Sequence, residues 1–142
     1  RFLLKIKTEY PSFSEEMEIV NQYAEESASV VLKPVLKKDH IAYLQKLTRQ
    51  IPISNDLKKY VVDLIARTRQ KKDLLQYGAS PRASIGLVLA AKAHALIHGR
   101  NYVSKEDVRK MAYPVLRHRI ILSFEAERNN MNEDDVITAL LK

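Results

Sequence analysis

The chain has 142 residues, 46% of them hydrophobic and 29% charged, with no cysteine. That length supports one domain with a real core, and the missing thiols exclude disulfides and thiolate metal sites and fit a reducing, cytoplasmic setting. Twenty-four basic against seventeen acidic residues give a net charge of +7, which suits nucleic acid, acidic partners or nucleotide phosphates without choosing among them.

The first residues, RFLLKIKTEYP, alternate Phe2, Leu4 and Ile6 with Leu3, Lys5 and Lys7. This period predicts a strand that ends at the Tyr10-Pro11 turn. Because the chain starts on Arg1 inside that strand, we expect it to be a piece of a longer protein. A first helix is predicted from about Ser14 to Glu26, with Glu15 and Glu16 in its opening turn and Met17, Val20, Tyr23 and Ala24 on one face. The stretch SVVLKPVLKKD follows as an extended connector with a proline, compatible with a short edge strand.

Asp39 is read as the cap of a second helix with Ile41, Leu44, Leu47 and Ile51 on its buried stripe. Ser54 caps a third, and Leu57, Tyr60, Val61, Leu64, Ile65 and Thr68 give it the clearest amphipathic pattern in the chain. A fourth starts at Ser80-Pro81 and is apolar nearly all round, so it is expected to be the most buried helix. Ser104 opens a fifth, with Asp107 completing a capping box. Tyr113-Pro114 should break or kink that helix. Asn132 opens the last, with Glu133, Asp134 and Asp135 in its first turn. The expected fold is mainly α: a helical bundle with one or two short N-terminal β-strands. The longest apolar run, Ile85 to Ile97, is interrupted by Lys92 and His94 and is too short to span a bilayer. No signal peptide is visible, and no membrane association is expected.

The fourth helix carries an anomaly. The other helix starts place an acidic residue at the cap or in the first turn, where it complements the free N–H groups and the dipole. At Ser80-Pro81 the start is well defined, yet Arg82 puts a positive charge there, at a cost of about 0.3–1 kcal/mol in a surface setting. A bound anion would turn the cost into a gain, because the helix N-terminus and a guanidinium would converge on one phosphate. The alternatives are an arginine directed into solvent or paired with a carboxylate elsewhere in the bundle.

Other constellations are weaker. His94 and His98 have the spacing of a zinc pair, but Ala-Leu-Ile separates them and no third ligand is near in sequence, so packing is the preferred reading. SKEDVRKMAYPVLRHRI could be half of a helix-turn-helix with Arg109, Lys110, Arg117 and Arg119 towards phosphates. No clear recognition helix precedes it and stacking aromatics are sparse, which argues against nucleic acid. A basic protein-interaction module remains as a further alternative. Neither a Gly-x-x-x-x-Gly-Lys-[Ser/Thr] loop nor a strand ending in paired carboxylates occurs, so the chain alone is not expected to hydrolyse ATP.

The stretch YGASPRASIGLVLAAKAHALIHGRNYVSKEDVRKMAYPVLRHRI closely resembles the C-terminal lid of MoxR-type AAA+ ATPases. The opening RFLLKIKTEYPSFSEEMEIV resembles the end of the same family's nucleotide-binding core. The resemblance implies that residues 1–12 are the tail of the core, its last strand, and that 13–142 form the helical lid. It implies that Arg82 is the sensor 2 arginine, with Ser80 and Pro81 placing the helix N-terminus near the nucleotide phosphate. In this role Arg82 would contact the γ-phosphate and couple hydrolysis to lid movement, in cis or in trans. Arg1 matches an arginine finger directed at a neighbouring subunit. Lys105 departs from the family, which usually has proline there; both suit the first helical position. The implied parent binds ATP with Mg²⁺ and forms a homo-oligomeric, hexameric ring. It acts as a remodelling or chaperone-like machine with von Willebrand factor A domain partners.

Overall fold

The structure, a computed structural model, describes residues 2–24 and 32–142. Seven helices lie among the described residues: α1 (Phe13–Ala24), α2 (Lys38–Gln50), α3 (Asn55–Gln70), α4 (Pro81–Ile97), α5 (Lys105–Leu116), α6 (Phe124–Arg128) and α7 (Glu133–Leu141). Strands β1 (Leu75–Tyr77) and β2 (Ile121–Leu122) pair antiparallel. The fold is mainly α, as the helical periodicities predict.

The two strands are not where alternation placed one. Residues 2–12 form no strand, because a strand needs a neighbour to complete its ladder. This segment instead runs across the end of α5, where Lys5 N–H donates to Pro114 O at 2.7 Å. The connector at Leu32–Lys37 is likewise without a strand, and its earlier part lies outside the described residues, as do Glu25 and Glu26.

The core forms where α3, α4, α5, α7 and β1 meet. Leu64, Ile65, Leu75, Leu87, Leu116 and Ile137 are fully buried there, each worth about 1.5–3 kcal/mol relative to exposure. α4 is central, packing against α2, α3 and α5. Small residues make that close packing possible: Ala83, Gly86, Ala90, Ala91 and Ala95 are buried with Leu87. Burial of α4 is confined to part of its surface, since Ile85 is 64% exposed and Ile97 81% exposed. The stripe read for the first helix is not buried, and that of the second is buried only towards its end, where Leu47 is half-buried and Ile51 is buried. α1 and α2 bury no residue, and Met17, Val20, Tyr23, Ile41 and Leu44 are all exposed.

Five helices have side-chain caps; in α1 Ser12 Oγ accepts from Glu15 N at 3.4 Å. Ser54, Ser104, Ser123 and Asn132 accept bonds from first-turn amides of α3, α5, α6 and α7. α2 starts one turn-fraction earlier than read, with Lys37 at the cap position and Asp39 inside the first turn. Pro114 does not end α5, which continues to Leu116. So close to the C-terminus the proline removes one ladder bond, and the carbonyl of Pro114 is taken up by Lys5 instead.

Candidate functional site

The Arg82 loop is set by a close backbone approach. A Cβ on Gly78 would lie 2.5 Å from Thr68 O and 2.6 Å from Arg69 N, both main-chain atoms. Thr68, 1% exposed, fixes the next residue: its Oγ1 accepts from Ala79 N at 2.9 Å and donates to Ile65 O at 2.6 Å. The chain then turns into α4 with Ser80 as N-cap and Pro81 in the first turn. Gly78→Ala is therefore expected to destabilise the chain by about 2–3 kcal/mol, because main-chain atoms of α3 must move to admit a methyl group. Urea unfolding of the two chains checks it, and an unchanged midpoint would mean the loop shifts freely.

At this helix start the anomaly is sharper than the sequence indicates. The Ser80 side chain makes no capping bond, and the first turn holds no acidic residue, whereas each of the other six described helices has one. Arg82 is exposed and has no hydrogen-bond or ion-pair partner among the described residues. It lines a cavity of about 270 Å³ together with Phe2, Leu3, Ile85, Gly86, Leu89 and Arg119, with no carboxylate in the lining. The structure thus favours an open arginine over one paired within the bundle. Arg1 lies outside the described residues.

One histidine of the pair, His94, joins a polar hub around a buried carboxylate. The α4 helix ends in a Schellman motif: Gly99 adopts φ +69°, Gly99 N–H bonds Leu96 O, and Arg100 N–H bonds Ala95 O. That turn aims Arg100 at Asp107, which is fully buried. Arg100 Nη1 donates to Asp107 Oδ2 at 2.6 Å and Nη2 to Oδ1. Ser104 N and Oγ each donate to the same carboxylate at 2.7 Å, and His94 Nδ1 donates to Oδ1 at 2.6 Å. The Arg100 guanidinium, helped by Ser104 and His94 and opposed by burial, holds the Asp107 carboxyl well below the usual carboxylate range. His98 stacks on His94 with ring centroids 4.1 Å apart and bonds the His94 carbonyl through Nδ1. Among the described residues no group of three or more metal-ligating side chains comes together. The capping box of Ser104 and Asp107 was legible in the sequence; its third and fourth partners were not, since they depend on how α4 ends.

Three residues of the basic stretch also acquire internal partners. Arg117 forms a two-pronged pair with Asp134 at 2.6 and 2.9 Å. Arg109 Nη2 donates to Leu141 O at 3.1 Å, and Arg119 Nη2 to Phe2 O at 2.9 Å. Arg117 and Arg109, held in this way, are poorly placed to face a nucleic-acid backbone.

Comparison with known proteins decides the family. The AAA lid domain family matches residues 67–140, from the end of α3 to the end of α7. The chain belongs to that family. It is 33% identical over 141 residues to the uncharacterized protein YeaC of Bacillus subtilis, covering 99% of this chain and 44% of YeaC. It is 35% identical over 150 residues to Chaperone MoxR1 of Mycobacterium tuberculosis, covering 100% of this chain and 39% of that protein. A crystal structure of a candidate ATPase from Cytophaga hutchinsonii superposes with a TM-score of 0.89 at 30% identity, over 99% of this chain and 45% of the other. The lid domain thus spans less than half the length of these relatives. No described helix is long and apolar enough to cross a membrane.

Proposed function

We propose that this lid reads the terminal phosphate of a bound nucleotide through Arg82 and passes that state on as lid movement within a longer AAA+ ATPase. One observation carries the reading: α4 is the described helix that lacks both a side-chain cap bond and a first-turn acid, and it places an exposed, unpartnered arginine there. An N-terminus with those features presents positive potential and open donors to an anion.

The residues fit a nucleotide phosphate. Arg82 would hold it, with Ser80 and Pro81 fixing the helix start that presents the guanidinium. When bound, ATP supplies a γ-phosphoryl group whose transition-state charge an arginine can stabilise. This chain offers no comparable ligand set for Mg²⁺ among its described residues, so the metal would be held elsewhere in the longer protein. The chain's own contribution is to bind and orient the phosphate, and to move with it because α4 is packed into the core of the lid.

The resemblance extends the reading. Residues 1–12 would be the tail of the nucleotide-binding core and 13–142 the helical lid. Arg1 would be an arginine finger towards a neighbour in a hexameric ring. The whole would be a cytoplasmic remodelling or chaperone-like machine working with von Willebrand factor A domain proteins. The test is ATP turnover by the longer protein carrying Arg82→Ala beside its wild type, with ATP binding measured on both.

A further inference from the structure

The cavity beside Arg82 contains a second guanidinium that the reading above does not use. Arg119 follows the last turn of α5 and lines the same space as Arg82, walled otherwise by Phe2, Leu3, Ile85, Gly86 and Leu89. It is held there by the N-terminal segment, since Arg119 Nη2 donates to Phe2 O at 2.9 Å and His118 Nε2 bonds the same carbonyl at 3.1 Å. Gly86 lies against the same wall: a Cβ there would lie 3.1 Å from Leu3 Cδ1 and in ordinary contact, 3.9 Å, with Arg119 Nη2. The Nε of Arg119 is buried and has no hydrogen-bond partner.

Two guanidinium groups around one small cavity with no carboxylate in its lining repel each other and leave donors open. A polyphosphate group satisfies both conditions, because its oxygens accept several charge-assisted bonds at once and its charge cancels the repulsion. We propose that Arg119 is the second arm of the Arg82 anion site, binding the same phosphate chain. It also ties the site to the segment Phe2–Leu3. Loading the site therefore pulls on the N-terminal segment as well as on α4. This inference rests on the reading of Arg82 as a phosphate contact.

The test uses the 142-residue chain labelled with ¹⁵N and inorganic tripolyphosphate as the probe. The side-chain Nε–Hε resonances of Arg82 and Arg119 should shift together along one binding curve. Arg119→Met should weaken binding about tenfold or more, and Arg119→Lys should restore part of it, since lysine keeps the charge and loses the fork. The amide resonances of α7 report that each variant is folded, and Arg119→Lys serves if the methionine variant is not. An Arg119 resonance that stays still, with Arg119→Met titrating like wild type while Arg82→Ala loses binding, overturns the inference and leaves the reading of Arg82 standing. Tripolyphosphate moving neither resonance also overturns it; ATP turnover by the longer protein then judges Arg82 separately.

Discussion

Arg82→Ala in the longer protein should lower ATP turnover at least about tenfold, and by as much as about 10³-fold, with the lid still folded. The two halves of this expectation have separate grounds. Arg82 is exposed and unpartnered, so its loss removes no native contact and should change stability by about 0.5 kcal/mol or less. The gain from relieving a positive charge at a helix N-terminus even acts in the stabilising direction. Turnover, by contrast, loses a cation at the place where charge develops. If the contact is made chiefly in the transition state, kcat falls more than the affinity for ATP. Arg82→Lys should recover little, because an ammonium cannot make the planar, two-pronged contact. An unchanged rate would make the arginine a surface charge and bring the protein-interaction alternative forward.

Asp107→Ala should destabilise the chain by about 3–5 kcal/mol, the cost of breaking a buried ion pair from one side. The carboxylate receives Arg100, Ser104 and His94 together, and alanine leaves these donors facing apolar surroundings. Asp107→Asn should cost nearly as much, since an amide can accept at one end only and presents donors to donors. The pH dependence has a definite sign. Because the folded-state carboxyl sits below its unfolded value, the hub contributes fully above about pH 4. Its contribution is lost progressively as pH falls below that value, since the unfolded chain takes up the proton first. Thermal unfolding from pH 7 down to pH 3 should show the wild type losing stability faster than Asp107→Ala; parallel curves would mean that the hub is not titrating.

What could be read from sequence was local chemistry. The caps at Ser54, Ser104 and Asn132 lie where serine, asparagine and downstream acids put them, because capping is a matter of a few neighbouring residues. The stripe on α3 is correct at Val61, Leu64, Ile65 and Thr68, since a helix of that period must bury its apolar face on something. The stripe of α1 failed and that of α2 held only at Leu47 and Ile51 for the complementary reason: a period predicts a face and says nothing about how much of it a partner covers. Residues 2–7 alternate like a strand but find α5 rather than another strand beside them. β1 and β2 were missed because three and two residues carry too little pattern.

The site divides in the same way. Arg82 stood out as a charge of the wrong sign at a well-marked helix start, which needs no tertiary knowledge. Arg119 reaches the same cavity across a separation of 37 positions, through an N-terminal strap, and the basic stretch that marked it gave no sign of a link to Arg82. The capping half of the Asp107 hub was visible in Ser104 and Asp107, whereas Arg100 joins it through the turn at Gly99 and His94 through the packing of α4 on α5.

The most direct measurement of the central claim is the ratio of affinities for a non-hydrolysable ATP analogue and for ADP, in the longer protein with and without Arg82→Ala. If Arg82 meets the γ-phosphate, the variant loses affinity for the triphosphate and keeps it for the diphosphate, so the ratio falls about tenfold. A ratio equal to that of the wild type would contradict the account.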